Sequence, residues 1–290
     1  MTKIKFLTDS NCDIPLKTAD ELGIEILPFT ITIDGTAYRE SYSFTPPEYY
    51  KILENAEALP VTAQIPPAVF RAKFSAAYDS GYDCVILTTM TAVGSGTFSS
   101  ANVGRQLFYE EHPEARSKFD IHVIDSGNYS ISYGYGILRA AQAYRNGAEV
   151  DEVLDLIHEW FGSLETYFTV FTLKYVRLSG RIGGAVQAVC DLLGICPVMS
   201  NLGGVFRTIK KTRGKHAAVR YIAEMFQKRW NGESDYVVLR GITDDAANEL
   251  AALLEALSGK PPVGIFYAGP SISTNTGPYI TGIGFMAKER

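Results

Sequence analysis

At 290 residues the chain exceeds the usual size of a single domain, and its length predicts two, each able to bury a core without disulfide or metal staples. Hydrophobic residues at 46% and charged residues at 20% are globular proportions that exclude a disordered chain. The net charge of −5 and the lack of long Lys/Arg runs exclude a nucleic-acid binder, because phosphate backbones reward clustered cations.

Through the first half, short apolar runs alternate with helical patterns, which predicts a largely parallel sheet with flanking helices. Ile4–Asp9 reads as a strand, followed by a Ser/Asn/Asp loop and a helix over 15–22. Asp34-Gly35, between apolar runs at 29–33 and 36–38, signals a hairpin. Thr45-Pro46-Pro47-Glu48 has capping-box spacing with Pro at the first helical position, and predicts a helix over 46–56. Pro66 and Pro67 open a helix reaching Tyr78. A strand over 85–89, a helix over 99–111, a strand over 121–125 and a helix over 130–144 follow. A helix over 150–161 bridges to the second half, which places the domain boundary between 1–160 and 161–290.

The second half is less regular. It predicts a strand over 167–173, a helix over 185–193, and a hairpin pairing 197–199 with 205–208 across Asn201-Leu202-Gly203-Gly204. A helix over 215–229, a strand over 236–239, a helix over 245–257 and a strand over 263–267 complete the order. Two hairpin-linked runs predict a mixed or antiparallel sheet with helices. The basic run Lys210-Lys211-Thr212-Arg213-Gly214-Lys215 reads as a solvated turn. No charged residue occurs between Val263 and Met286, but Gly264, Gly269, Pro270, Gly277 and Pro278 interrupt the segment. A membrane span needs about 20 predominantly apolar residues, so a buried strand–loop–strand is expected instead. Cys12, Cys84, Cys190 and Cys196 lack CxxC spacing, and the N-terminus enters a strand pattern without a signal-peptide core. Both predict a cytoplasmic chain.

Three polar loops follow predicted strands: Thr8-Asp9-Ser10-Asn11-Cys12-Asp13, Gly94-Ser95-Gly96-Thr97 and Asp125-Ser126-Gly127-Asn128. Ligands of open α/β sheets bind beyond the carboxyl ends of strands, where such loops converge. Each loop also precedes a helix, so capping is the simpler role of any one alone. Gly94-Ser95-Gly96-Thr97 lets an amide and two hydroxyls approach an anion. It lacks the P-loop lysine and the GxSxG spacing of a nucleophile elbow. None of His112, His122, His158 and His216 stands in a Gly-rich loop, so Ser95 has no evident base and a catalytic residue set is not apparent. Scattered His and Cys give no metal-ligand spacing, and no metal is expected. Asp9, Asp13 and Asp125 read first as caps.

In chain order, these loops resemble the motifs of the DegV family. Thr8-Asp9-Ser10-Asn11-Cys12-Asp13-Ile14-Pro15 is similar to its TDSxxDLP, and Thr62-Ala63-Gln64 to its TSQ loop. Ser95-Gly96-Thr97-Phe98-Ser99-Ser100-Ala101 is close to SGTYxSA. Asp125-Ser126 with Ser132, Gly134 and Gly136 resembles DSxxxSxGxG. Leu173-Lys174-Tyr175-Val176 followed by Gly180-Arg181-Ile182-Gly183 resembles LxYLxxGGRI.

The resemblance implies a two-domain α/β fold whose second domain closes a tunnel over the head-group loops of the first. It implies a carrier, not an enzyme, that binds a long-chain fatty acid and needs no cofactor. The carboxylate would be held by Thr62 and Ser95, with the Gly96 amide nearby, and presented to a separate fatty acid kinase. Arg181 would be a second-domain contact or a kinase-facing surface, with pairing to a neighbouring carboxylate an equal reading. Transient contact with a membrane surface is compatible with this role. The family's C-terminal THxGPGxxG becomes Thr274-Asn275-Thr276-Gly277-Pro278-Tyr279 here, with Asn275 in place of His and Tyr279 in place of Gly. Cys196-Pro197 stands for Lys-Pro, and Ala63 for the TSQ serine. Asn275 can donate a hydrogen bond to the head group but cannot become cationic near neutral pH. Three alternatives therefore stand beside the kinase-linked carrier: a lipid-binding paralogue with another head group and no kinase partner, a Ser95 hydrolase, and a polar small-molecule binder.

Overall fold

The computed structural model describes residues 2–180 and 194–289. Arg181, Cys190 and the helix expected over 185–193 lie outside the described residues. In chain order the first half holds strands β1 (Ile4–Asp9), β2 (Ile24–Leu27), β3 (Thr30–Ile33), β4 (Thr36–Arg39), β5 (Val61–Ala63), β6 (Cys84–Thr89) and β7 (Asp120–Asp125). Its helices are α1 (Leu16–Glu21), α2 (Pro46–Asn55), α3 (Pro67–Asp79), α4 (Thr97–Glu111), α5 (Ser130–Arg145) and α6 (Val150–Ser163). Then come β8 (Leu164–Val170), α7 (Lys174–Ser179), β9 (Ile195–Leu202), β10 (Val205–Arg213), α8 (Lys215–Arg229), β11 (Tyr236–Arg240), α9 (Asp245–Ser258), β12 (Ile265–Tyr267), α10 (Pro270–Thr276) and β13 (Ile280–Met286).

The fold is α/β, with the expected parallel sheet and mixed sheet. The parallel sheet has the order β2-β1-β6-β7. β6 is buried along its whole length, as its run Cys84-Val85-Ile86-Leu87 requires of a strand covered on both faces. A small antiparallel sheet, β4-β3-β5, hangs beside it. The mixed sheet has the order β10-β9-β8-β13-β11-β12, antiparallel except where β11 meets β12.

Helix α5 holds the two larger sheets together. It packs on the 3₁₀ turn Ser10–Cys12 that follows β1, and on β8, β11 and β13 of the mixed sheet. Its small residues make this approach feasible: a Cβ on Gly134 would strike the Cys12 carbonyl, and one on Gly136 the Trp160 ring. One apolar cluster accordingly runs from Ile4 and Phe6 through Phe70, Phe74 and Trp160 to Val237, Ile280 and Met286. The opposite face of the mixed sheet packs on α8 and α9 through Val219, Ile222, Phe226, Leu250 and Leu254. The Thr45 cap of α2 forms as its sequence predicts, with Thr45 N donating to Glu48 Oε2 at 2.7 Å.

Several expectations change. The hairpin extends well past 208, so the basic residues Lys210, Lys211 and Arg213 lie on edge strand β10, not in a turn; a register shift between Thr208 and Lys210 accommodates the added length. The turn itself is Gly203-Gly204, both at positive φ (60° and 82°), a conformation other residues rarely adopt. β8 begins earlier and ends earlier than expected. The segment read as strand–loop–strand contains helix α10 between β12 and β13. Among the described residues no helix is long and apolar enough to cross a membrane.

Candidate functional site

A cavity of about 390 Å³ lies where the loops after β1, β6 and β7 meet α10 and the inner face of the mixed sheet. The structure brings Thr62, Ser95, Gly96 and Asn275 onto its wall together. Arg181 lies outside the described residues. No charged side chain lines the cavity among the described residues, so any polar group of a ligand meets neutral donors and acceptors.

The loop carrying Ser95 is built by backbone bonds and one carboxylate. Gly94 N and Ser95 N donate to Thr91 O at 3.1 and 3.2 Å. Asp125 Oδ1 accepts from Ala92 N at 3.1 Å and from Gly127 N at 2.9 Å, tying the loops after β6 and β7 together. Thr91 N donates to Asn128 O at 2.9 Å and completes that link. The Ser95 hydroxyl lies 2.8 Å from Thr97 Oγ1 and accepts from Thr97 N at 3.2 Å. Gly96, the residue just before α4, lies in close contact with the Gln64 amide, so the cavity end of Gln64 rests where a Cβ would be. Thr62 is held by β5, paired with Ile31 of β3. Asn275 Nδ2 donates back to Ser271 O at 2.7 Å within α10, which commits one of its two amide hydrogens.

Behind this wall lies a cluster of buried carboxylates, and Glu40 is the member that motif reading missed. Asp9 caps the Ser10–Cys12 turn through Asn11 N at 3.0 Å, and it also accepts from Met90 N at 2.8 Å and Tyr133 OH at 2.7 Å. Glu40 accepts from Ser10 Oγ and from Ser271 N, each at 2.5 Å. Asp13 accepts from the Ser130 hydroxyl. Asn11 joins the cluster to the cavity, donating to Ser271 Oγ at 2.9 Å and accepting from Ser130 N at 3.2 Å. Burial pushes the Asp9 carboxyl up to about 7, and it holds Asp13 and Glu40 above their usual range. Among the described residues no group of His, Cys, Asp and Glu has the geometry to hold a metal ion.

The mixed sheet supplies a wall that no motif announces. Phe206 stacks on Tyr129 with centroids 4.5 Å apart and meets Phe168 edge-on at 5.1 Å. Gly282 lets β13 lie flat there, because a Cβ would strike Phe168 and the Tyr167 carbonyl. Thr166, Asn128 and Asn201 add polar groups to the same region. A glycine inside a β pattern is the one sequence signal for such close approach.

The departures from the family pattern fall in different places. Ala63 lines the cavity. Tyr279 instead donates its hydroxyl to Glu54 on α2. Cys196 is buried on the α8 side of the mixed sheet. None of the four histidines lines the cavity: His216 pairs with Glu249 at 2.6 Å, and His112 lies 3.6 Å from Glu114. Ser95 thus has hydroxyl and backbone neighbours but no imidazole base beside it.

Against known proteins, the profile described as "uncharacterised protein, DegV family" matches residues 3–288. The chain belongs to the DegV family. A DegV domain-containing protein from Caldanaerobacter subterraneus subsp. tengcongensis is 28% identical over 290 residues, covering 99% of this chain and 100% of that relative. Among solved structures, a DegV family protein from Thermus thermophilus, described by its fatty acid binding, has a TM-score of 0.84 at 27% identity and covers 99% of this chain and 100% of its own. A fatty acid binding DegV family protein from Streptococcus agalactiae has a TM-score of 0.85 at 25% identity and covers 100% of both chains. Solved DegV relatives therefore bind fatty acids in this fold.

Proposed function

We propose that this DegV protein binds a long-chain fatty acid in the cavity and carries it without chemistry of its own. The observation that carries the reading is the union, in one cavity, of the Ser95-Gly96 loop with aliphatic and aromatic walls and, among the described residues, no charged side chain. Burying each CH₂ contributes about 0.8 kcal/mol, so a long acyl tail supplies on the order of 10 kcal/mol before ordering and association costs. A carboxylate leaving water needs donors, and Thr62, Ser95, the Gly96 amide and the remaining Asn275 amide hydrogen are assigned that role. Residues 1–160 supply the Thr62 and Ser95-Gly96 loops, and 161–290 bring Asn275 and close the cavity over the tail. Presentation to a separate kinase, with Arg181 on the contacting surface, and residence in the cytoplasm belong to the same reading.

A second reading keeps the lipid but changes the head group and removes the kinase. It is favoured by Asn275, which spends an amide hydrogen inside α10 and brings no cation to the site. Both readings are tested by extracting the purified protein with organic solvent and identifying the bound lipid by mass spectrometry. A stoichiometric fatty acid is expected, and Ser95→Ala is expected to lower its retention several-fold in a folded protein. A lipid with another head group would select the second reading. An empty extract that stays empty after incubation with a fatty acid panel would sink both.

A further inference from the structure

Five side-chain amides line the cavity among the described residues. Asn11, Asn128, Asn201 and Asn275 each hydrogen-bond to the protein around them. Gln64 is exposed, and its side chain makes no hydrogen bond among the described residues. Its backbone is nevertheless held on both sides. Ala63 before it pairs with Thr30 in the β3–β5 ladder, and the carbonyl of Ile65 after it accepts the Ser100 hydroxyl of α4 at 2.6 Å. These anchors fix where the Gln64 side chain starts, and Gly96 marks where it ends. Its Cδ and Nε2 lie 2.9 and 3.0 Å from the place a Gly96 Cβ would occupy. Gln64 and Val93 are exposed while Phe168 and Ile283, on the same wall, are buried. The amide therefore stands at the solvent end of the cavity, beside the Ser95-Gly96 loop. A half-turn about its last bond presents either its oxygen or its two N–H groups.

We propose that Gln64 is a head-group residue whose Nε2 donates to the carboxylate of the bound fatty acid. The inference rests on the fatty-acid reading above and deepens it. A carboxylate offers about four lone-pair sites, and the donors already assigned to it are partly engaged. Asn275 has spent one amide hydrogen on Ser271 O, and Ser95 Oγ has Thr97 Oγ1 as a competing acceptor 2.8 Å away. Gln64 has both amide hydrogens to give and stands next to the Gly96 amide. Its position at the solvent end makes the gain that of a partly screened charge-assisted bond, not of a buried one.

The test measures binding of palmitic acid and of 1-hexadecanol, which keeps the tail and removes the carboxylate. Each is bound to delipidated wild type and to Gln64→Leu and Gln64→Glu variants at pH 8. Gln64 is exposed and its side chain unbonded, so both variants are expected to melt within about 2 °C of wild type. Gln64→Leu is expected to weaken palmitic acid about 3–10-fold, the range that one net hydrogen bond supports. Gln64→Glu has the same size and a negative charge, and is expected to weaken it about tenfold or more, because like charges meet where a donor stood. Hexadecanol, whose O–H a glutamate can accept, should bind wild type and Gln64→Glu within about threefold of each other. Palmitic acid binding unchanged in both variants would overturn the proposal. So would a loss in Gln64→Glu that hexadecanol shares in full, since that would mark a change of wall shape. If wild type does not bind palmitic acid, the fatty-acid reading falls and this inference falls with it.

Discussion

Gly96 is required by a neighbour, not by its own backbone, since its φ of −74° is open to any residue. What a side chain would meet is the Gln64 amide, the far end of an exposed and flexible group on the cavity wall. That end can swing away at little cost, so Gly96→Ala should change unfolding free energy by less than about 1 kcal/mol. The cost should appear in binding, because the displaced amide reshapes the wall beside Ser95. Fatty acid retention is expected to fall several-fold while the melting temperature holds. A variant that keeps full retention would show that Gln64 and Gly96 take no part in the site. Asn275 behaves differently: its amide is anchored at Ser271 O, so its position is set by helix α10 and not by what occupies the cavity.

Between elements, the contact of α5 with the turn after β1 has no such slack. Gly134 faces the Cys12 carbonyl, a backbone atom, with Ile14 beside it. Gly134→Ala must therefore move the turn that carries Asn11 and Asp13, at a cost of about 1–3 kcal/mol. Urea unfolding should show the drop, and a midpoint equal to wild type would mean that the helix shifts freely. The glycine itself was visible as part of a motif, whereas the reason for it needed the packed pair. Elements with strong periodicity or caps, such as α2, β6 and α4, were legible from residue pattern alone. Helix α10 was not, because Ser, Thr and Asn are poor helix formers whose side chains compete for the backbone. In place, Ser273, Thr274, Asn275 and Thr276 each bond the carbonyl four residues back, at 3.0, 2.7, 2.7 and 3.0 Å. This self-satisfaction lets a polar segment be buried as a helix, an outcome set by tertiary context. The second strand of that segment was expected, but its place at the centre of the mixed sheet was not: Gly282 and Gly284 are needed only because Phe168 and Ser132 press on them. The loop half of the cavity wall was thus readable as Thr62, Ser95, Gly96 and the loop ending at Asn128, while Thr166, Asn201 and Glu40 acquire meaning only when distant strands meet.

At the scale of the molecule, the Asp9, Asp13 and Glu40 cluster couples stability to pH. It joins the turn after β1, the end of β4 and helix α10, using hydroxyl and amide donors. Burial raises Asp9 from 3.8 to about 7, so over that interval the folded protein holds a proton that the unfolded chain releases. Stability from this proton is present at low pH and is lost as pH rises through 7. Asp13 and Glu40 are raised by burial as well and act in the same direction. Glu25 and Asp235, lowered despite partial burial by bonds to Lys5 and Lys73 and to Tyr135 and Lys260, act oppositely but only in the acid range. His122, held below its usual 6.5 by burial, opposes the cluster only where the unfolded imidazole is charged. The window from about pH 6.5 to 8 therefore belongs to the carboxylates, and Asp9 alone should account for a loss of about 1 kcal/mol across it. Urea unfolding is expected to show a midpoint that falls with rising pH in that window, and Glu40→Gln is expected to flatten the slope. Ligand retention should weaken in parallel, because Ser271 and Asn11 bridge the cluster to the cavity wall. A midpoint that is level or rises between pH 6.5 and 8 would mean that the three carboxyls are already ionised in the folded protein, with the cluster held by its donors alone.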